Sequence, residues 1–258
     1  MIELDVPTLT GWMYAYIWPL FRISGFVMAA PIFGAQMVPA RVKIFISLGL
    51  AAILAPVVPH GEPPTGIGFD VWVQAGVQTI IGVIMGFALQ MLFQIFVVAG
   101  QILSLQMGLG FASVNDPVNG VSIVVLSQFY MMLATLIFLL LNGHLTILQM
   151  LANSFIWIPV GQWPQVDTYW LIAQSGTWLF ASGLSLSLPG MVALLLVNLC
   201  LGVITKAAPQ LNIFAIGFAF LLVFGLIIFW ASMSDMLWQQ ENLMLEAFDK
   251  IKVYLGAS

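Results

Sequence analysis

Hydrophobic positions in this chain fall into long unbroken runs, separated by short stretches where charge, proline and glycine collect. Six apolar segments stand out: Gly11 to Phe33, Lys43 to Val58, Val71 to Leu105, Val121 to Leu141, Trp170 to Ile204 and Leu211 to Met233. An amphipathic tail over 234–258, with Asp235, Glu241, Glu246 and Asp249, follows the last. Histidine aside, no charged residue separates Asp116 from Asp167, Asp167 from Lys206, or Lys206 from Asp235. About 20 apolar residues cross a hydrocarbon core. The pattern therefore predicts an all-α, multi-pass integral membrane protein, a single domain of about six long hydrophobic helices.

Two segments do not fit as simple spans. About 35 residues of helix, the length of the third and fifth segments, measure roughly 50 Å, against a core of roughly 30 Å. Pro189 is expected to break the fifth into halves, and Gly76, Gly82, Gly86 and Gly100 allow the third to bend. Oily helix that reaches beyond the bilayer needs a cover, and partner subunits are the expected one. The third segment also carries a polar seam. Gln90, Gln94 and Gln101 fall within about 40° of one another on a helix, flanked by the small pair Gly82 and Gly86. Such a face packs on other helices within the bundle, on a subunit, or on a conduit.

Composition excludes the soluble classes. AVILMFWYC make up 62% of the 258 residues and charged residues 6%, too few to coat a compact particle in water, and disorder is excluded by the same hydrophobicity. A net charge of −4 without a Lys/Arg cluster argues against nucleic-acid binding. The lone Cys200 allows no intrachain disulfide and reads as inert packing. Glu3 and Asp5 stand where a signal peptide carries positive charge, so cleavage is not expected.

Basic residues orient the spans. The connections after segments one, three and five hold Arg41, Lys43 and Lys206, whereas the N-terminus and the connections after segments two and four hold none, which favours an outside N-terminus. Two longer stretches read as lying outside the helices: Pro59 to Phe69, and Gly143 to Trp170 with Trp157 and Trp163 as interfacial anchors.

The residues form no catalytic constellation. There is no HExxH, no carboxylate pair and no GxSxG elbow, and Gly108-Leu109-Gly110 lacks the lysine of a phosphate loop. The expectation is a protein that is not an enzyme, with no cofactor and no metal site. Arg22, about ten residues from either end of segment one, is too deep to snorkel comfortably. It reads either as a structural ion pair or carbonyl clamp, or as a contact at a conduit or subunit. Lys206 reads as a positive-inside anchor, or else a gate or partner contact. Asp116, ahead of Pro117, is placed to cap segment four, and His144 reads as a helix-end residue after Gly143. The stretch Gly108, Leu109, Gly110, Phe111, Ala112, Ser113, Val114 and Asn115 is glycine-bearing yet apolar. It suits either a buried turn or an oily stopper. The 14 methionines are adaptable core filler that would also suit a seal.

Taken together, the motifs resemble the FliR/SctT family of type III secretion export-apparatus proteins. The matches run nearly end to end: Trp18-Pro19-Leu20-Phe21-Arg22, Ala30-Pro31-Ile32, Pro39-Ala40-Arg41-Val42-Lys43, Gly86-Phe87-Ala88-Leu89-Gln90, Leu105 through Ala112, Asp116-Pro117, Asn142-Gly143-His144, and Ala208-Pro209-Gln210-Leu211-Asn212-Ile213-Phe214. The resemblance implies a structural and gating component of the flagellar type III export channel. It would sit in the bacterial inner membrane at the basal body, joined to FliP and FliQ subunits with FlhB at the entrance, and pass unfolded flagellar subunits as cargo. It implies further that Gly108 to Asn115 is the channel plug, and that Arg41, Lys43, Lys206, Pro209 and Gln210 lie near the entrance or a partner surface. The rival reading is a small-solute secondary transporter or channel, which would need ionisable or broken-helix sites near the midplane.

Overall fold

Where few polar side chains are available, the α-helix satisfies backbone N–H and C=O groups within one segment. The computed structural model describes residues 6–31, 34, 38–59, 68–109, 125–207 and 213–257, and these are helices joined by turns, with no strand among them. Seven helices are described: α1 (Val6–Ala29), α2 (Ala40–Leu54), α3 (Phe69–Gln106), α4 (Val125–Leu140), α5 (Gly143–Trp157), α6 (Val166–Ala207) and α7 (Ile213–Tyr254). By length and composition α3, α6 and residues 217–254 of α7 are able to cross a membrane, and α4 with α5 qualifies as a fourth span if the broken pair is counted as one.

Three expectations change. The stretch after Gly143 is not loop, because α5 occupies most of it. Asn142 takes the left-handed conformation at φ 56°, so Asn142-Gly143 is a corner between two helices and His144 belongs to the first turn of the second. Pro189 does not divide the fifth segment, since α6 runs through it for 42 residues. The tail is no separate element either. Between Gly225 and Gly256 there is neither glycine nor proline, and α7 carries the charged residues on to Tyr254 without a break.

The chain divides into two compact units. The first comprises residues 1–91, 142–175 and 245–258. Its core is built from Ile23, Phe26 and Val27 of α1, Ile81 and Met85 of α3, Leu151 and Phe155 of α5, and Ile251 of α7. α1 runs parallel to α3 at backbone contact. A Cβ on Gly82 would overlap the Arg22 carbonyl oxygen, and one on Gly86 would stand 2.8 Å from the Phe26 carbonyl oxygen, so only glycine permits this approach. At the other side of the unit the Thr168 hydroxyl donates to the Tyr254 carbonyl at 2.9 Å, and Ser175 and Tyr254 share a hydroxyl contact, fastening the start of α6 to the end of α7.

The second unit comprises residues 92–141 and 176–244. The end of α3 and α4 are antiparallel, with Phe93 meeting Phe138 edge to face at 5.3 Å. Phe229 of α7 takes Phe129 and Tyr130 of α4 on its edges, each at 5.3 Å. The buried Gln240 amide donates to the Ala134 carbonyl at 2.5 Å.

Candidate functional site

The chain entering the predicted plug is held by a complete helix cap. At the end of α3 the Leu109 N–H donates to the Ser104 carbonyl at 3.0 Å and the Gly108 N–H to the Leu105 carbonyl at 3.1 Å. Gly108 has φ 78°. This is the paired hydrogen-bond pattern that closes a helix on a left-handed residue, where glycine carries no Cβ penalty. Met107, just ahead of it, is fully buried with its side chain in a notch on α7: a Cβ at Gly225 would stand 2.5 Å from Met107 Cγ and 2.6 Å from Cε. An unbranched thioether fills such an irregular gap well. Gly108 and Leu109 are thus placed by a fixed helix end. Gly110, Phe111, Ala112, Ser113, Val114 and Asn115, and the expected cap Asp116, lie outside the described residues.

Arg22 is fully enclosed in the first unit, with no exposed surface. Its Nε donates to Gln78 Oε1 at 2.8 Å, Nη1 to Ser154 Oγ at 3.0 Å and Nη2 to the Ile158 carbonyl at 2.9 Å. The guanidinium lies 3.8 Å above the Phe155 ring, a cation–π contact. One side chain therefore ties α1 to α3 and to both the body and the C-terminal end of α5. Within the chain these contacts form a clamp of neutral acceptors, an amide oxygen, a hydroxyl and a backbone carbonyl, with no acid among them. Gln78, Ser154 and Phe155 were not anticipated from sequence. One signal did point to Gln78, which stands four residues before Gly82 and eight before Gly86, on the α3 stripe that meets α1.

The remaining candidates are dispersed. Gln90 and Gln94 are half-buried while Gln101 is exposed, so the three amides do not share one environment. Gly82 and Gly86, which precede that seam on the same row of the helix, face α1. Arg41 is exposed near the start of α2, and Lys43 Nζ donates to the Gly34 carbonyl at 2.9 Å. Lys206 is exposed in the last turn of α6, where a cation suits the helix dipole. Pro209 and Gln210 lie outside the described residues. In the second unit a cavity of about 270 Å3 borders Pro189, with Tyr130, Ser232, Asp235 and Gln239 among its lining residues. Its lining holds one carboxylate and no histidine, lysine or arginine. Among the described residues no group of three His, Cys, Asp or Glu side chains is gathered as a metal site would require.

The chain matches the bacterial export proteins, family 1, over residues 13–247. It belongs to this family. Among relatives named flagellar biosynthetic protein FliR, that of Escherichia coli (strain K12) is 35% identical over 250 residues, covering 96% of this chain and 95% of the relative. That of Pectobacterium carotovorum subsp. carotovorum is 34% identical with the same coverage. The Bacillus subtilis (strain 168) relative is 31% identical over 208 residues, or 79% of this chain and 80% of the relative. The family member described here is a component of the flagellar type III export apparatus. Its long apolar helices place it as a multi-pass protein of the bacterial inner membrane.

Proposed function

We propose that the chain is a non-enzymatic structural and gating subunit of the export channel, acting as one export-gate domain. FliP and FliQ subunits sheath its outer helices, FlhB lies at the entrance, and unfolded flagellar proteins are the passing cargo. The observation that carries this reading is the reach of uncovered apolar surface. Exposed large apolar side chains extend from Trp170 to Ile204 on α6, with no charged residue among them. At 1.5 Å per residue this stripe is about 50 Å long, and lipid covers only about 30 Å of it. The remainder requires protein.

Gating rests with residues 108–115. The capped end of α3 and the Met107 notch fix where this segment leaves the helix, and its apolar, small residues suit a seal that holds back ions without binding them. Arg41, Lys43, Lys206, Pro209 and Gln210 belong to the entrance or to partner contacts, and Gln90, Gln94, Gln101 and Asp116 to assembly. Two measurements test this. Detergent extraction followed by native mass spectrometry gives one large hetero-oligomer; a monomer or small symmetric oligomer would favour the transporter reading instead. Deleting residues 110–115 leaves that assembly intact and makes reconstituted vesicles leak small ions, whereas unchanged conductance in the assembled complex would remove the plug assignment.

A further inference from the structure

Beyond the three donors that Arg22 places on Gln78, Ser154 and Ile158, α1 and α3 carry buried donors that meet no acceptor among the described residues. They are the indole Nε1 of Trp18 and the amide Nε2 atoms of Gln74 and Gln78. Trp18 is 3% exposed and Gln78 and Arg22 not at all. Register lines these residues up along the contact between α1 and α3. α1 and α3 run parallel, with Arg22 against Gly82 and Phe26 against Gly86, a step of four on each helix. One turn earlier the same register sets Trp18 against Gln78, and the offset that joins Arg22 to Gln78 sets Trp18 against Gln74.

The seam is therefore rich in donors and carries a positive charge. A guanidinium has five N–H groups, and among the described residues three of them are engaged, all by neutral acceptors. A buried cation without a counter-charge is costly. Water relieves this poorly, because each molecule brings two donors with its two acceptor sites. A monatomic anion accepts from several donors, offers none and cancels the charge. Full burial of Arg22 and Gln78 also excludes anything larger, such as a partner's carboxylate or a lipid phosphate, from reaching in from outside.

We propose that Trp18, Arg22, Gln74 and Gln78 form a structural halide site in the first unit, holding chloride between α1 and α3. The proposal rests on helix packing alone and stands or falls independently of the plug. The test uses the full chain in its detergent-extracted complex, prepared throughout in sodium chloride, sodium bromide or sodium gluconate at one ionic strength. The expected result is a higher melting temperature in either halide, rising with halide concentration as mass action requires. Bromide should also remain with the bromide-prepared complex after gel filtration in gluconate. Gln78→Glu supplies a fixed carboxylate at the seam, so that variant is expected to melt alike in all three salts. If Gln78→Glu fails to accumulate, Trp18→Phe is read instead, and lowered bromide retention is the supporting result. Equal melting of the native complex in halide and gluconate without retained bromide overturns the proposal. So does a halide dependence that survives Gln78→Glu, or retention unchanged in Trp18→Phe.

Discussion

The most apolar 18-residue stretch of α3 is 67% buried within the chain, whereas the corresponding stretches of α6 and α7, of nearly equal mean hydropathy, are 11% buried. Oiliness alone thus does not separate a helix that forms the core from one that forms the coat. The difference lies in what interrupts the oil. α3 brings Gln78, Gly82 and Gly86 to α1 on one stripe, and its large residues Phe93, Ile95 and Phe96 are all sealed. α6 buries Gly183, Ser187 and Gly190 along one narrow face and turns Phe180, Leu184, Leu188 and Leu195 outward. A helix in lipid gains little by hiding leucine from an equally apolar solvent, so close backbone approach and interhelical hydrogen bonds decide which helices sit inside.

The sharpest way to break this contrast is at the α1–α3 seam. Gly82→Leu forces a side chain into the Arg22 backbone and should cost on the order of 5 kcal/mol, the upper end for a point change; the readout is loss of extractable folded protein. Next in size is Phe96→Ala, which empties a sealed position of α3 and should cost about 3–5 kcal/mol, read as a lowered melting temperature of the extracted chain and complex. Gly225→Leu expels Met107 from its notch at about 1–3 kcal/mol. It should preserve assembly while raising ion conductance in vesicles. Smallest for the chain itself is Leu196→Ala on the outward side of α6, at no more than about 0.5 kcal/mol. Its effect should appear in weaker co-purification of partner subunits. A large loss of chain stability from Leu196→Ala, with partner yield unchanged, would erase the distinction between core and coat.

Much of this was legible in the residues. Runs of apolar side chains announced helices, the length of the third and fifth runs returned as the 38 residues of α3 and the 42 of α6, and Arg22 announced a buried partner set. What escaped had local causes. α5 was obscured because Asn142-Gly143 ahead of it and Pro159, Trp163 and Pro164 behind it read as loop punctuation, while the corner needs only one left-handed residue. Pro189 removes one hydrogen bond, yet flanking turns of a long packed helix hold the axis, so a breaker in sequence became an interior residue of α6. The acids after Asp235 marked a change of surroundings and not of backbone, and α7 continued. Gln78 and Ser154 were invisible individually, since a lone amide or hydroxyl acquires meaning only when a distant helix delivers a guanidinium to it.

The company that Arg22 keeps sets how this scaffold responds to acidity. An amide, a hydroxyl, a peptide carbonyl and a phenyl ring neither take up nor release protons between neutral and mildly acid conditions, so the latch between α1, α3 and α5 has nothing to lose as protons accumulate on one side of the bilayer. Had a carboxylate filled that place, the joint would have loosened with falling pH. As built, the joint that Arg22 makes between α1, α3 and α5 keeps its donors and acceptors where a carboxylate would have lost its charge.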